Sequence, residues 1–211
     1  MTTTSEITEK YLNEHSSIKD CLKKGIINYS KLARIIASES KIEKKSSMEA
    51  VLIACRRFEL KLKKEKELEE RILKILKKSE LEVKNKIVVG IIDKKIYADK
   101  ISEIAKKIRS KAGTFYAIEG TNVFTIVISE EFADELKNLF KRNLIKLTKN
   151  LVMIKIKSPE EIETTPGVVA YIHSLFASYS INIIESMSCW TDSIFVIEEK
   201  NTAKTMEFLR F

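Results

Sequence analysis

Thr164-Thr165-Pro166-Gly167-Val168-Val169-Ala170-Tyr171-Ile172, continued by Leu175-Phe176-Ala177-Ser178-Tyr179-Ser180-Ile181-Asn182-Ile183, is the stretch whose reading decides the fold. Pro-Gly marks a turn, and proline suits a first helical position because its missing N–H costs nothing there. The apolar spacing then predicts a helix over Val168 to Tyr179 and a strand over Ile181 to Met187. Leu151 to Ile156, just upstream, reads as a strand. Downstream, a turn at Trp190-Thr191-Asp192 leads to a strand at Ile194 to Ile197 and a helix at Thr202 to Phe208.

The same order occurs once before. Ile87-Val88-Val89-Gly90-Ile91-Ile92 is β-branched and apolar enough for a strand buried on both faces. A helix follows over Ile96 to Lys111, with Ile101, Ile104, Ala105 and Ile108 on one side and lysines on the other. Phe115 to Glu119 and Val123 to Ile128 are strands joined by Gly120-Thr121-Asn122, a hairpin signal. Glu130 to Arg142 is a helix with acids first and bases last, as its dipole favours, and Leu144 to Leu147 is a closing strand. From residue 81 onward the chain therefore reads as a tandem repeat with a period of about 65 residues. Each unit is of the βαββαβ type, an antiparallel sheet with two helices on one face. The second copy lacks its last strand in sequence. It must leave an edge open, borrow a strand, or pair with another subunit.

The segment 164–183 resembles the ACT domain family, in which a strand leads through a Pro-Gly turn into a helix and then a strand opening Ile-Asn-Ile. The resemblance extends through Ser186-Met187-Ser188 and Ile194-Phe195-Val196-Ile197 to the last helix, and is strongest to the ACT modules of aspartokinases. It implies a small-ligand sensor, with an amino acid the expected effector, and oligomers formed through the ACT modules. It places the ligand at Thr165, Pro166, Gly167, Val168, Asn182 and Ile183. The physics agrees: glycine lets a ligand approach the backbone, and the free amides of a helix's first turn attract a carboxylate. A plain structural role is open to the same residues, with Thr165 capping the helix, Pro166 and Gly167 shaping the turn and Asn182 ending a strand. Ser186 and Ser188 are weaker candidates. The first repeat has Asp93-Lys94-Lys95-Ile96-Tyr97-Ala98-Asp99 in place of the Pro-Gly turn and no Ile-Asn-Ile, so it reads as a degenerate ACT-like copy without an effector of its own.

Upstream of residue 81 the chain is helical. Ile7, Tyr11 and Leu12 recur at helical spacing. Ser17 caps a short helix ending at Gly25, and Asn28 caps a third with Leu32, Ile35 and Ile36 turned inward. After a polar stretch, Ser38 to Lys45, one long helix covers 47–79. Residues 1–86 carry 21 Lys and Arg against 14 Asp and Glu, seven of the chain's net +8. Such asymmetry points to an acidic partner, nucleic acid among the candidates. Asn28 to Ile36 resembles the first helix of a helix-turn-helix, and Lys31, Arg34, Lys44, Lys45, Arg56, Arg57 and Lys61 are the phosphate-binding candidates. Two features depart from that motif. The connection is too long, and Ala50 to Cys55 is too apolar to lie in a groove.

Catalysis finds little support: there is no phosphate loop, no GxSxG and no metal-ligand cluster. Cys21, Cys55 and Cys189 are scattered, as in reduced cytosolic proteins. No apolar run approaches a membrane span, and no signal peptide opens the chain. The reading is an α+β chain: helical, helix-turn-helix-like residues 1–46, a connecting helix 47–80, a degenerate ACT-like repeat 81–148 and an ACT domain 149–211. As two tandem ferredoxin-like repeats behind a helical domain, it is expected to be a cytoplasmic, non-enzymatic, cofactor-free regulator that binds DNA. The alternative is an interaction subunit that regulates an amino-acid biosynthetic enzyme.

Overall fold

A computed structural model of the chain describes residues 3–42, 45–94 and 98–211. The chain divides into two compact units, Met1–Arg71 and Ile72–Phe211.

The first unit consists of α1 (Thr4–Glu14), α2 (Ser16–Lys23), α3 (Tyr29–Glu39) and the first part of α4 (Lys45–Lys77). Thr3 and Glu6 close a reciprocal capping box on α1, and the Asn28 side chain accepts the Lys31 amide at 3.0 Å to open α3. Gly25 ends α2 in the left-handed region, φ +66°. Leu12, Leu22, Leu32, Ile36, Val51, Cys55 and Phe58 form its core. Burial pushes the Cys55 thiol up to about 11, so it behaves as a small apolar side chain.

The second unit carries β1 (Glu80–Asp93), α5 (Ala98–Ser110), β2 (Phe115–Glu119), β3 (Val123–Ser129), α6 (Ala133–Phe140), β4 (Leu144–Lys157), α7 (Val168–Ser178), β5 (Ile183–Cys189), β6 (Asp192–Glu198) and α8 (Thr202–Phe208). Its strands form one antiparallel sheet, in the order β2-β3-β1-β4-β6-β5. One expectation is corrected here, and one left open by the sequence is resolved. Leu144 to Leu147 and Leu151 to Ile156 are a single strand, so a boundary at 148/149 would cut β4. The strand missing from the second repeat is borrowed from upstream: residues 80–84 of β1 pair with 153–157 of β4, while 87–92 pair with 144–151. β1 is longer than its apolar run because Glu82 and Lys84, which look like loop, sit on this borrowed ladder.

The two long strands match each other. Both have a continuously buried run, 87–90 and 151–154, and the residue before each, Lys86 and Asn150, takes a left-handed backbone of φ +54° and +58°. These kinks coincide with irregular register in the ladder, and such irregularities bend and twist a sheet. The sheet curls. On its helix side, Val88, Ile92, Ile126 and Ile128 pack with Ile104, Ile108, Leu136 and Phe140 of α5 and α6. Gly90 leaves the space a side chain would need there, since a Cβ would meet Leu136 Cδ2 at 2.6 Å. Ile87, Val89, Val127, Leu151, Met153, Ile194 and Val196 form a second core that contains no helical residue. An open ferredoxin-like sheet would expose that face; here the curled sheet buries it against itself.

Candidate functional site

The end of β4, the start of β6 and the end of β5 lie in one row, Lys157 beside Asp192 beside Cys189. The loop 158–167 leaves β4 at this end and returns to open α7. Ser158, buried, donates its N–H to the Thr191 carbonyl at 2.9 Å, and its hydroxyl accepts from the Ser79 hydroxyl at 3.0 Å. Lys78 lies 3.9 Å from Glu161. The loop is thus fixed at its root.

At its far end the loop differs from the sequence reading. Gly167, not Thr165, occupies the N-cap of α7, with φ +91° and ψ −9° and no side-chain cap bond. Pro166 is exposed and precedes the helix by two residues, so it shapes the turn without starting the helix. Thr165 is 4% exposed, and its hydroxyl has no hydrogen-bond partner among the described residues. Val168 is buried. A Cβ on Gly167 would meet Ile72 Cδ1 at 3.3 Å, so the turn lies against the last part of α4. Tyr171 makes the first helical bond, to the Gly167 carbonyl at 2.8 Å. The amides before it have no carbonyl of their own to meet.

Sequence reading missed a second hydroxyl. Ser193 is 1% exposed and, like Thr165, has no partner for its oxygen among the described residues. Ile194 and Val196 face the helix-free core, whereas Phe195 packs on Phe176 of α7, so Ser193 faces the helix side by strand alternation. It pairs with Ile156 and Ser188 across the sheet. No motif flags a serine at a strand start, and only the register reveals it. Leaving a buried hydroxyl unpaired costs about 1–3 kcal/mol. Both hydroxyls belong to the end of the module at which α7 begins, Thr165 two residues before the Gly167 N-cap and Ser193 one residue after the row at Asp192.

Asn182 and Ile183 lie elsewhere. Ile183 opens β5 opposite Ile197, and exposed Asn182 precedes it, beyond the C-terminal end of α7. Six residues of strand, about 20 Å, separate that end from the row at Cys189. Within one chain the fold therefore brings Thr165, Pro166, Gly167 and Val168 together and leaves Asn182 and Ile183 apart. Ser186 and Ser188 are exposed along β5. Glu185, half-buried on the same strand, has its carboxyl raised above the usual range by burial.

The cationic candidates are on the first unit. Lys31, Arg34, Arg56, Arg57 and Lys61 are exposed, Lys45 opens α4, and Lys44 is outside the described residues. Lys61 is paired with Glu9 at 2.6 Å, and Arg56 lies 5.9 Å from the Tyr29 ring centroid. Tyr29 donates to Glu59; burial first, then that carboxylate, pushes its hydroxyl up to about 12. Val51, Ala54 and Cys55, in the opening turns of α4, are core. His15 and His173 each place Nδ1 against a carbonyl one helical turn back, at 2.7 and 2.9 Å, a structural role. Among the described residues there is no group of three His, Cys, Asp or Glu side chains able to hold a metal. None of their helices is long and apolar enough to cross a membrane.

No family model matches the sequence, and no curated protein matches it. Solved structures do resemble the fold. The Clostridium acetobutylicum aspartate kinase superposes with a TM-score of 0.52 at 14% identity, over 62% of this chain and 33% of the kinase. The likeness supports an ACT-like fold for the part of the chain that superposes. Looser superpositions exist with the regulatory subunit of aspartate kinase from Thermus thermophilus (TM-score 0.49, 11% identity, 61% of this chain, 92% of that one) and with E. coli aspartokinase III in complex with lysine and aspartate (0.47, 8%, 61%, 31%). The matched region is a third of the length of the Clostridium kinase.

Proposed function

We propose that this chain is a non-enzymatic regulatory protein whose ACT-like unit binds a small amino-acid effector at the start of α7 and passes its state to a partner protein. The observation that carries the reading is the buried Thr165 hydroxyl, without a partner among the described residues, two positions before the left-handed Gly167. An α-carboxylate accepts hydrogen bonds from the free first-turn amides of α7 and from such hydroxyls, and gains from the helix dipole. Asn182 and Ile183 enter the same site only from a neighbouring copy, which is how we read the open edges β2 and β5: the working form is an oligomer joined at ACT modules. Scattered free cysteines fit a cytoplasmic setting.

A protein partner is preferred to DNA because the opening turns of α4 put Val51, Ala54 and Cys55 into the core. A recognition helix must instead present polar side chains. The test is a thermal-shift screen of the twenty amino acids on the full chain. An effector at 100 times its Kd adds about 2.7 kcal/mol to stability. A rise in Tm with one or a few amino acids, abolished by Gly167→Val, supports the reading; no rise with any of them overturns it.

A further inference from the structure

Trp190 is the chain's one tryptophan and is 62% exposed. It stands first in the two-residue turn Trp190-Thr191 between β5 and β6, with φ +50°. Glycine fills such a position without cost, whereas a bulky side chain there is strained. A large exposed indole on a backbone that disfavours it calls for a use. Its location supplies one. Thr191 accepts the N–H of Ser158 at 2.9 Å, so the hairpin tip is tied to the root of the loop that carries Thr165 and Gly167. The tip is one residue beyond the row Cys189, Asp192, Lys157, at the α7 N-terminal end of the module. Ser188 and Ser193 pair just below it.

Resting on the effector reading above, we propose that Trp190 is the specificity residue of that site. The indole covers the side chain of a bound α-amino acid whose carboxylate sits on the α7 amides and the Thr165 and Ser193 hydroxyls. An indole offers a wide, rigid apolar face with little conformational entropy to lose. The site therefore takes amino acids with extended apolar or aromatic side chains in preference to glycine, serine or aspartate. No bond is made or broken; the step is binding alone.

Because the chain holds a single tryptophan, its emission reads the site directly. Each of the twenty amino acids is titrated into the full chain while Tm and tryptophan emission are both recorded. The expected result is that any amino acid raising Tm also shifts or quenches emission with the same midpoint. Trp190→Gly is expected to weaken that ligand about tenfold, as loss of an aromatic anchor does, with the unliganded Tm unchanged or higher. Trp190→Phe, followed by thermal shift, keeps the affinity within about threefold because the aromatic face remains. A ligand that raises Tm without moving the emission, or that binds Trp190→Gly as well as wild type, overturns the role of Trp190 and leaves the effector site standing. Absence of any ligand removes both.

Discussion

Gly167→Ala isolates the backbone feature on which the candidate site is built. Gly167 has φ +91°, and an L-residue in the left-handed region costs about 1–2 kcal/mol. The alanine also restricts the unfolded chain, which returns about 0.4–1 kcal/mol. The added Cβ meets only the tip of Ile72 at 3.3 Å, a contact that a small rotation of that side chain relieves. The net expectation is a loss of about 1 kcal/mol, or about 2–4 °C in Tm for a chain of this size. Urea unfolding followed by the emission of Trp190 measures it, since Trp190 belongs to the same unit as Gly167. Gly167→Asn, run beside it, should cost less, because asparagine tolerates left-handed backbone better. An alanine variant as stable as wild type, or asparagine costing more than alanine, would refute the strained-turn argument.

Other outcomes follow from the same geometry. Glu82 on the borrowed strand lies 2.5 Å from Lys155, its register partner on β4, and that bond, with help from Lys84, holds its carboxyl below the usual carboxylate range. A depressed folded pKa means stability present above the unfolded value of about 4.3 and lost as pH falls through the folded pKa. Both groups are partly exposed, so Glu82→Gln should cost less than about 1 kcal/mol at pH 7, and the gap between urea midpoints should close on acidification; a gap that widens in acid contradicts the pairing. On the first unit, the full chain is expected to leave a 20-base-pair duplex unshifted in gel retardation at about 150 mM salt, where non-specific contacts are weak. A salt-sensitive shift abolished by Arg56→Glu with Arg57→Glu would restore the DNA reading.

Much of the fold was legible because its elements keep clean periodicities. The Phe115–Glu119 strand, the Thr202–Phe208 helix and the Asn28 cap appear where the sequence puts them. The borrowed strand was not legible, since Glu82, Lys84 and Asn85 carry no apolar alternation and their pairing with β4 is a long-range event. Nor was the merging of two strands into β4, because polar Thr148-Lys149-Asn150 interrupts the apolar pattern, whereas Asn150 takes left-handed backbone inside a continuous strand. At the candidate site, Pro-Gly marked the turn, and the glycine proved to be the N-cap itself. The motif groups Asn182 with it, but a βαβ path carries the chain along a full helix and back, so helix start and strand start lie at opposite ends. Ser193 was hidden because only cross-strand register assigns it a face.

The site claim is tested most directly by amide shifts. With 15N-labelled full chain and the amino acid that raises Tm, the largest perturbations are expected on Gly167, Val168, Val169 and Ala170, with Thr165 and Ser193 moving in step. Perturbations centred on the α5–α6 face, with the Gly167 turn unmoved, would contradict it.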